Sequence, residues 1–178
     1  MNLETDLKRI RDLARRRKDE NWDFRCYLRE LPYSIRRIDD TVQEVYGEVA
    51  RLTDCTQCAN CCREMQPVLI PADIKRLAKK TGMTLKAFTA RNLAKAPEGE
   101  PGHVFKSRPC PFLADNRCSV YDARPRDCRS YPHLHRRGFV YRISQAVVNY
   151  GVCPIVFNTY ERLKPLLARR IRPARKAI

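Results

Sequence analysis

The sequence predicts a mainly α-helical protein with short irregular strands, in which a small cysteine-rich domain is flanked by N- and C-terminal helices. Three observations predict this fold class: apolar residues recur at helical spacings upstream of Cys55, eight of the nine cysteines lie between Cys55 and Cys153, and a further helical pattern follows Cys153. We therefore divide the 178 residues into an N-terminal helical extension (1–52), a cysteine-cluster domain (53–155), and a C-terminal basic helix and tail (156–178).

The N-terminal extension carries one apolar stripe that is typical of a helix packed on its own core. Pro32 interrupts the stripe, so a helix is expected to restart there, and Leu3, Leu7 and Ile10 begin a shorter helix upstream. The same spacing also permits a coiled coil with a partner. The stripe consists of Leu28, Leu31, Ile35, Ile38, Val42, Val45, Val49 and Leu52.

Helix start and stop signals follow the first cysteines. Pro71 opens a helix that ends before Gly82, and Thr84 caps a second helix that turns Leu85 and Phe88 inward.

The last third of the chain combines a turn-rich connector, a strand and a helix. Residues 97–102 form the connector, and alternating apolar residues predict a short strand over 139–143. Pro154 opens the final helix, which Pro173 ends. Its apolar side consists of Phe157, Tyr160, Leu163 and Leu167.

The composition is that expected of a soluble cytoplasmic protein. The first ten residues lack the apolar segment of a secretory signal, and no apolar run approaches the ~18 residues that a membrane span needs. Because cytosolic thiols stay reduced, the nine cysteines favour metal ligation over disulfides.

The net charge of +16 is concentrated in the cysteine domain and the tail. Residues 53–155 carry 17 basic and 8 acidic groups, and residues 156–178 carry 7 and 1. Such an excess attracts polyanions, so an acidic protein or RNA is the expected class of macromolecular partner.

The run Cys55-x2-Cys58-x2-Cys61-Cys62 is the strongest functional signal. Gaps of two residues let successive thiolates converge on one centre from a tight loop. Eight cysteines are therefore expected to be metal ligands and to divide into two groups of four. The predicted ligands are Cys55, Cys58, Cys61, Cys62, Cys110, Cys118, Cys128 and Cys153.

The spacing favours an iron–sulfur cluster, with zinc as the alternative. Three thiolates in a C-x2-C-x2-C run plus a remote Cys-Pro are typical of ferredoxin-type sites, and both Cys110 and Cys153 precede a proline. Zinc also accepts four thiolates, so the metal stays open between the two.

The doubled cysteine predicts how the two groups divide. If this stretch is extended, neighbouring side chains face opposite sides, so Cys61 joins Cys55 and Cys58 while Cys62 turns towards Cys118 and Cys128. The isolated Cys26 is expected to be a small buried apolar side chain instead of a ligand.

The same region resembles a known family. The run at 55–62 is followed by Cys110-Pro-Phe-Leu113 and by Cys118-Ser-Val-Tyr121-Asp-Ala-Arg124-Pro125-x2-Cys128-Arg129-x-Tyr131-Pro132. Over residues 55–154 this pattern is similar to the CxxCxxCC cysteine-cluster family of YkgJ-type zinc- or iron-chelating proteins. The resemblance implies a metal-chelating domain and leaves the choice of metal open.

Three functional hypotheses follow. The first is an intracellular metal-binding protein with a redox, cluster-handling or regulatory role. The second is a metal-dependent enzyme that modifies a protein or RNA, although no nucleophile–base pair, paired carboxylate or phosphate-binding loop is recognisable. The third is an RNA-associated assembly factor with a structural zinc core and a phosphate-contacting basic tail.

Overall fold

The computed structural model describes residues 2–30 and 34–169. It is mainly α-helical with only short strands, which confirms the predicted fold class. None of the helices in these residues combines the length and the apolar character that crossing a membrane requires.

The helices are, in chain order, α1 Leu7–Arg16, α2 Lys18–Glu30, α3 Ile35–Arg51, α4 Cys55–Cys58, α5 Asn60–Glu64, α6 Pro71–Lys80, α7 Leu85–Asn92, α8 Arg126–Ser130, α9 Phe139–Asn149 and α10 Pro154–Arg169. The strands are β1 Leu93–Lys95, β2 His103–Phe105, β3 Leu113–Ala114 and β4 Arg117–Cys118, and a single 3₁₀ turn spans Tyr121–Ala123.

The chain forms two compact units. One, the helical unit, combines the first 54 residues with those after Tyr131, and the other, the cysteine unit, is Cys55–Tyr131. The N- and C-terminal helices that flank the cysteine region in sequence therefore belong to the same unit.

In the helical unit, α3 packs on α9 and α10, while α2 packs on α1 and α9. The N-terminal stripe supplies much of this core, because Leu28 and the α3 residues Ile38, Val42, Val45 and Val49 are buried. At the ends of the stripe, Ile35 and Leu52 are exposed.

The terminal helices agree with the sequence pattern in most respects. The first helix begins at Leu7, after the Asp6 side chain accepts hydrogen bonds from the backbone N–H of Lys8 and Arg9, and its Ile10 is fully buried. The four apolar residues predicted for α10 are all buried. The predictions for Leu31, Pro32 and Pro173 fall outside the described residues.

The strand predicted over 139–143 is wrong, because these residues form the first turns of α9. Phe139, Val140 and Ile143 are buried together, which fits helical spacing, and Tyr141 is 73 % exposed. The buried Asp39 carboxylate accepts hydrogen bonds from Gly138 N (2.7 Å) and Phe139 N (2.9 Å). This cap comes from a residue distant in sequence, so alternation alone could not reveal the helix.

The cysteine unit has its own apolar cluster, formed by α6, α7, the β1–β2 hairpin and the 3₁₀ turn. Pro71 and Thr84 begin α6 and α7 as predicted, and Phe88 is fully buried. Leu85 is 54 % exposed, so its predicted inward orientation is wrong: only the later turns of α7 reach the cluster. The cluster consists of Leu69, Ile74, Leu77, Ala78, Phe88, Leu93, Phe105, Val120 and Ala123.

The predicted connector at 97–102 is the loop of the β1–β2 hairpin, and it ends at a glycine with a positive φ. Gly102 has φ +132°, and a Cβ there would lie 2.9 Å from the Leu69 carbonyl oxygen. This close approach accompanies the hydrogen bond from Leu69 N to the His103 carbonyl (2.7 Å).

Candidate metal centre

The C-x2-C-x2-C-C run lies on two short helices joined by a sharp change of direction. Cys55 and Cys58 begin and end α4, and Ala59 then adopts a left-handed conformation (φ 47°) before α5 starts. Cys61 and Cys62 therefore lie in a helix, and the expectation of an extended doubled cysteine is wrong. Successive helical side chains still point in different directions, about 100° apart.

Cys110 lies beside Cys62, because Cys110 N donates a hydrogen bond to the Cys62 carbonyl at 2.9 Å. A tight hairpin then returns the chain, pairing Leu113 of β3 with Cys118 of β4. Its two turn residues, Asp115 and Asn116, both have positive φ (46° and 61°), as a two-residue hairpin turn favours. The hairpin consequently brings Cys118 near Cys110, and both side chains pack against the apolar cluster.

Cys128 is on α8, which follows the Arg124-Pro125 turn. Asp73 and Arg76 on α6 hold this turn. The Asp73 side chain is 1 % exposed and accepts hydrogen bonds from Arg76 Nη2 (2.6 Å) and Arg126 N (3.1 Å). Arg76 also donates to the Ala123 carbonyl (3.3 Å) and the Arg124 carbonyl (2.8 Å).

Cys62, Cys110, Cys118 and Cys128 lie within electrostatic reach of one another, because the charge on one thiol changes the pKa of others. Burial is the main cause that raises the pKa of Cys110 to about 11, and negative charge on Cys62 and Cys118 raises it further. Burial likewise raises the pKa of Cys128 to about 12, with additional contributions from the other three thiols. The pKa of Cys118 is raised by burial and by Cys62.

Cys62 differs from its three neighbours in acidity. The Cys61 thiol hydrogen-bonds to the Cys62 sulfur, and this is the main cause that lowers the pKa of Cys62 to about 7. The positive charges of Arg63 and Arg124 lower it further, against the opposing effect of burial. Cys62 is thus the thiol of this group that most readily becomes a thiolate.

Four of the eight predicted ligands lie within electrostatic reach of one another: Cys62, Cys110, Cys118 and Cys128, which we call the four-thiol group. The sequence analysis expected Cys62 to turn towards Cys118 and Cys128, and this division of the ligands stays a prediction. Within residues 2–30 and 34–169, no three histidine, cysteine, aspartate or glutamate side chains form a group that could hold a metal ion.

The other cysteines have different surroundings. Cys55 is exposed, and Cys58 and Cys61 are half-buried in the cysteine unit. Cys153 is buried in the helical unit at the start of α10, where its N–H donates to the Asn149 carbonyl at 2.9 Å. Cys26 is exposed on α2, so the expectation of a buried apolar side chain is wrong.

The residues that position the four-thiol group were not predicted from the sequence. Asp73 is visible in sequence only as an acidic residue in the first turn of a helix that Pro71 opens. That signal predicts a favourable interaction of Asp73 with the helix N-terminus. The hydrogen bond that Asp73 accepts from Arg126 N joins residues remote in sequence, so no local pattern predicts it.

One comparison with known proteins identifies a family. The family model named CxxCxxCC, described as a putative zinc- or iron-chelating domain, matches residues 54–154. No curated protein and no solved structure matches the chain. Because the matched segment covers more than half of the sequence and contains every cysteine except Cys26, the chain belongs to the CxxCxxCC family.

Proposed function

We propose that the chain is a metal-binding protein in which the thiolates of Cys62, Cys110, Cys118 and Cys128 bind one metal centre. The observation that carries this proposal is the packing of the segments that bear these cysteines: Cys110 N donates to the Cys62 carbonyl, and the β3–β4 hairpin returns Cys118 towards Cys110. The four thiols come from α5, the approach to β3, β4 and α8, and they lie within electrostatic reach of one another. Burying four groups that repel one another when ionised is unfavourable unless a cation offsets their charge.

The donor set fits the family description. Thiolates are soft ligands, and four of them suit zinc, iron or an iron–sulfur cluster. No three described side chains yet form a metal-binding group, so we expect the four sulfur atoms to draw closer together when metal binds. The Asp73–Arg76 pair and the β3–β4 hairpin hold the backbone segments that carry them.

Cys55, Cys58 and Cys61 are proposed as the thiolates of a second site. Their C-x2-C-x2-C spacing is that of the ferredoxin-type run. This pattern is the reason for preferring an iron–sulfur cluster here, with zinc as the alternative.

An iron–sulfur cluster would supply one-electron redox chemistry, whereas zinc bound by four thiolates would be structural. The role we propose is therefore in redox chemistry, cluster handling or regulation in the cytoplasm. The protein's own residues would supply thiolates, a dry apolar backing to Cys110 and Cys118, and positive charge from Arg63 and Arg124.

Anaerobic purification from unsupplemented cells, followed by analysis for iron, zinc and acid-labile sulfide, tests the proposal. We expect the wild-type protein to contain metal, Cys118→Ser to lose the portion bound by the four-thiol group, and Cys26→Ser to match the wild type. Metal-free wild type, or a Cys118→Ser variant with full metal content, would refute the proposal. Iron with sulfide indicates a cluster, and zinc without sulfide indicates the alternative.

A further inference from the structure

One row of side chains along α1 and α2 carries six cations and the chain's single tryptophan. Its members are spaced alternately three and four residues apart, which places them on one side of a helix. Only Arg17 separates the two helices. Its N–H donates to the Leu13 carbonyl and its carbonyl accepts from Asn21 N, both at 2.9 Å, so helical hydrogen bonds continue across the junction. This row, which we call the cationic row, consists of Lys8, Arg11, Arg15, Lys18, Trp22, Arg25 and Arg29.

The cationic row faces solvent, because the opposite side of both helices is used for packing. Ile10, Phe24 and Leu28 are buried, and the Arg17 side chain pairs with Glu161 on α10. Within the row, the tryptophan and the arginine that follows it are half-buried, and the other five side chains are exposed. The apolar side of α1 is therefore occupied, and this helix presents charge to the solvent.

Most of the charge on the row is not neutralised by carboxylates. Residues 8–18 contain seven basic side chains and one acidic side chain. Among the described residues, the exposed Lys8, Arg11 and Lys18 form no ion pair, whereas Arg15 pairs with Asp12. The acidic residues 19, 23 and 30 of α2 each follow a member of the row by one position, so they lie about 100° around the helix from it. The row is thus a continuous cationic surface that attracts polyanions.

Trp22 adds an aromatic ring to this charged surface. The Arg25 guanidinium lies over the ring, 5.2 Å from its centroid, and Arg25 Nε donates a hydrogen bond to Ser144 Oγ on α9 at 2.7 Å. Arg25 therefore connects the ring to the neighbouring helix. Cations on either side of an exposed aromatic edge are the combination with which proteins bind single-stranded nucleic acid: the cations contact phosphates and the ring stacks on a base.

We propose that the cationic row binds single-stranded nucleic acid, with its cations on the phosphates and Trp22 stacked on a base. This inference does not depend on the metal centre. An anionic membrane is a poorer fit, because a helix that lies on a membrane inserts an apolar side, and α1 uses that side for packing. An acidic protein is the competing partner: it needs the same cations, but it has no base to stack on the tryptophan.

The fluorescence of Trp22 tests this inference without a label, because the chain has no other tryptophan. An oligouridine RNA of about 12 nucleotides, within the usual site size, is titrated into the reduced full-length chain at several salt concentrations. We expect the RNA to quench the emission. The logarithm of the binding constant should fall with the logarithm of the salt concentration with a slope of about −4, since each of the six phosphate contacts contributes about −0.7.

Two double variants measure the contribution of the row to binding. Lys8→Gln with Arg11→Gln should reduce the steepness of the salt dependence by about 1.4, the share of two phosphate contacts. Arg36→Gln with Arg51→Gln is the matched control, because it removes two exposed cations from α3 outside the row, and its slope should stay close to that of the wild type.

Two variants of the tryptophan measure stacking, with binding followed by the anisotropy of labelled RNA. Trp22→Leu keeps an apolar side chain but cannot stack, so its affinity should fall roughly 5- to 100-fold, while Trp22→Phe should keep most of the affinity. If Trp22→Leu does not fold by circular dichroism, the quenching of the wild type and the salt dependence of the double variants decide the question.

Polyglutamate and vesicles containing anionic lipid represent the competing partners. Both should displace the RNA weakly and leave the tryptophan emission unchanged. RNA binding without quenching, or equal slopes for the two double variants, would overturn the inference. Tighter binding of polyglutamate or of the vesicles than of RNA would overturn it as well and assign the row to an acidic protein or to a membrane. Metal content is measured separately, so none of these results decides the proposed function.

Discussion

Replacing Asp73 by alanine should loosen the segment that connects Cys118 to Cys128. The Asp73 carboxylate is almost fully buried and accepts hydrogen bonds from Arg126 N at 3.1 Å, Ile70 N at 3.3 Å and Arg76 Nη2 at 2.6 Å. The first fixes the start of α8 to the N-terminus of α6, and the second caps that N-terminus. Alanine removes all three acceptors without adding bulk.

The magnitude follows from these contacts. Losing the acceptor for Ile70 N at the helix start costs about 1 kcal/mol, as for other N-terminal caps. Losing a carboxylate acceptor for Arg126 N costs about 1.5–2 kcal/mol, because hydrogen bonds to charged groups are stronger. Arg76 keeps two carbonyl partners and its side chain is 34 % exposed, so its loss adds little. The expected total is about 3 kcal/mol, which corresponds to roughly a 100-fold change in a local opening equilibrium.

Hydrogen–deuterium exchange of the reduced, metal-free chain measures this directly. Peptides covering residues 121–130 should exchange roughly 100-fold faster in Asp73→Ala than in the wild type. Asp73→Asn, which retains one acceptor oxygen, should show a smaller increase. Asp122→Ala, which removes an exposed carboxylate from the same segment, should show none. Unchanged exchange in Asp73→Ala would refute the role assigned to this carboxylate.

Three further predictions concern the cysteines and one glycine. Cys58→Ser should reduce the metal content of protein purified anaerobically, whereas Cys26→Ser should not, because only Cys58 belongs to the chelating run. In the reduced, metal-free chain, iodoacetamide should alkylate Cys62 increasingly as the pH rises through about 7, its pKa. Cys128, with a pKa of about 12, should react little at neutral pH. Mass spectrometry of the peptides measures both reactions. Gly102→Ala should lower the free energy of unfolding by about 2 kcal/mol in urea denaturation, because it combines strained backbone with a Cβ 2.9 Å from a carbonyl oxygen.

Each of these predictions has a contrary outcome. Equal metal loss from Cys58→Ser and Cys26→Ser would mean that the ligand set is drawn wrongly. Alkylation of Cys62 and Cys128 with the same pH profile would contradict the hydrogen bond and charges assigned to Cys62. For the glycine, Gly99→Ala is the control: it shares a positive φ (+90°) but has no atom within 4 Å of the added Cβ, so it should cost less than Gly102→Ala.

Local patterns predicted those elements whose stabilising contacts are local. The start of α6 at Pro71 and the cap of α7 at Thr84 are confirmed because proline and threonine act on adjacent backbone groups. The apolar face of α10 is confirmed because its residues follow helical spacing.

The predictions that failed depend on contacts remote in sequence. Alternation at 139–143 indicated a strand, but the Asp39 carboxylate caps these residues as a helix. Cys26 is exposed on α2, since which face of that helix is covered depends on the elements that pack against it. The doubled cysteine is the exception, because its helical conformation has a local cause: Ala59 adopts a left-handed conformation and α5 begins directly after it.

The sequence by itself determined the family and which donor groups are available: thiols at two-residue gaps, followed by the Cys-Pro and Arg-Pro motifs, are properties of residue type and order. Only the tertiary structure decided which cysteines lie together. Cys62, Cys110, Cys118 and Cys128 come within electrostatic reach of one another because a backbone hydrogen bond, the β3–β4 hairpin and the buried Asp73 carboxylate bring separate segments together. Such long-range contacts are selected by packing and by the need to satisfy buried polar groups, and no local pattern encodes them.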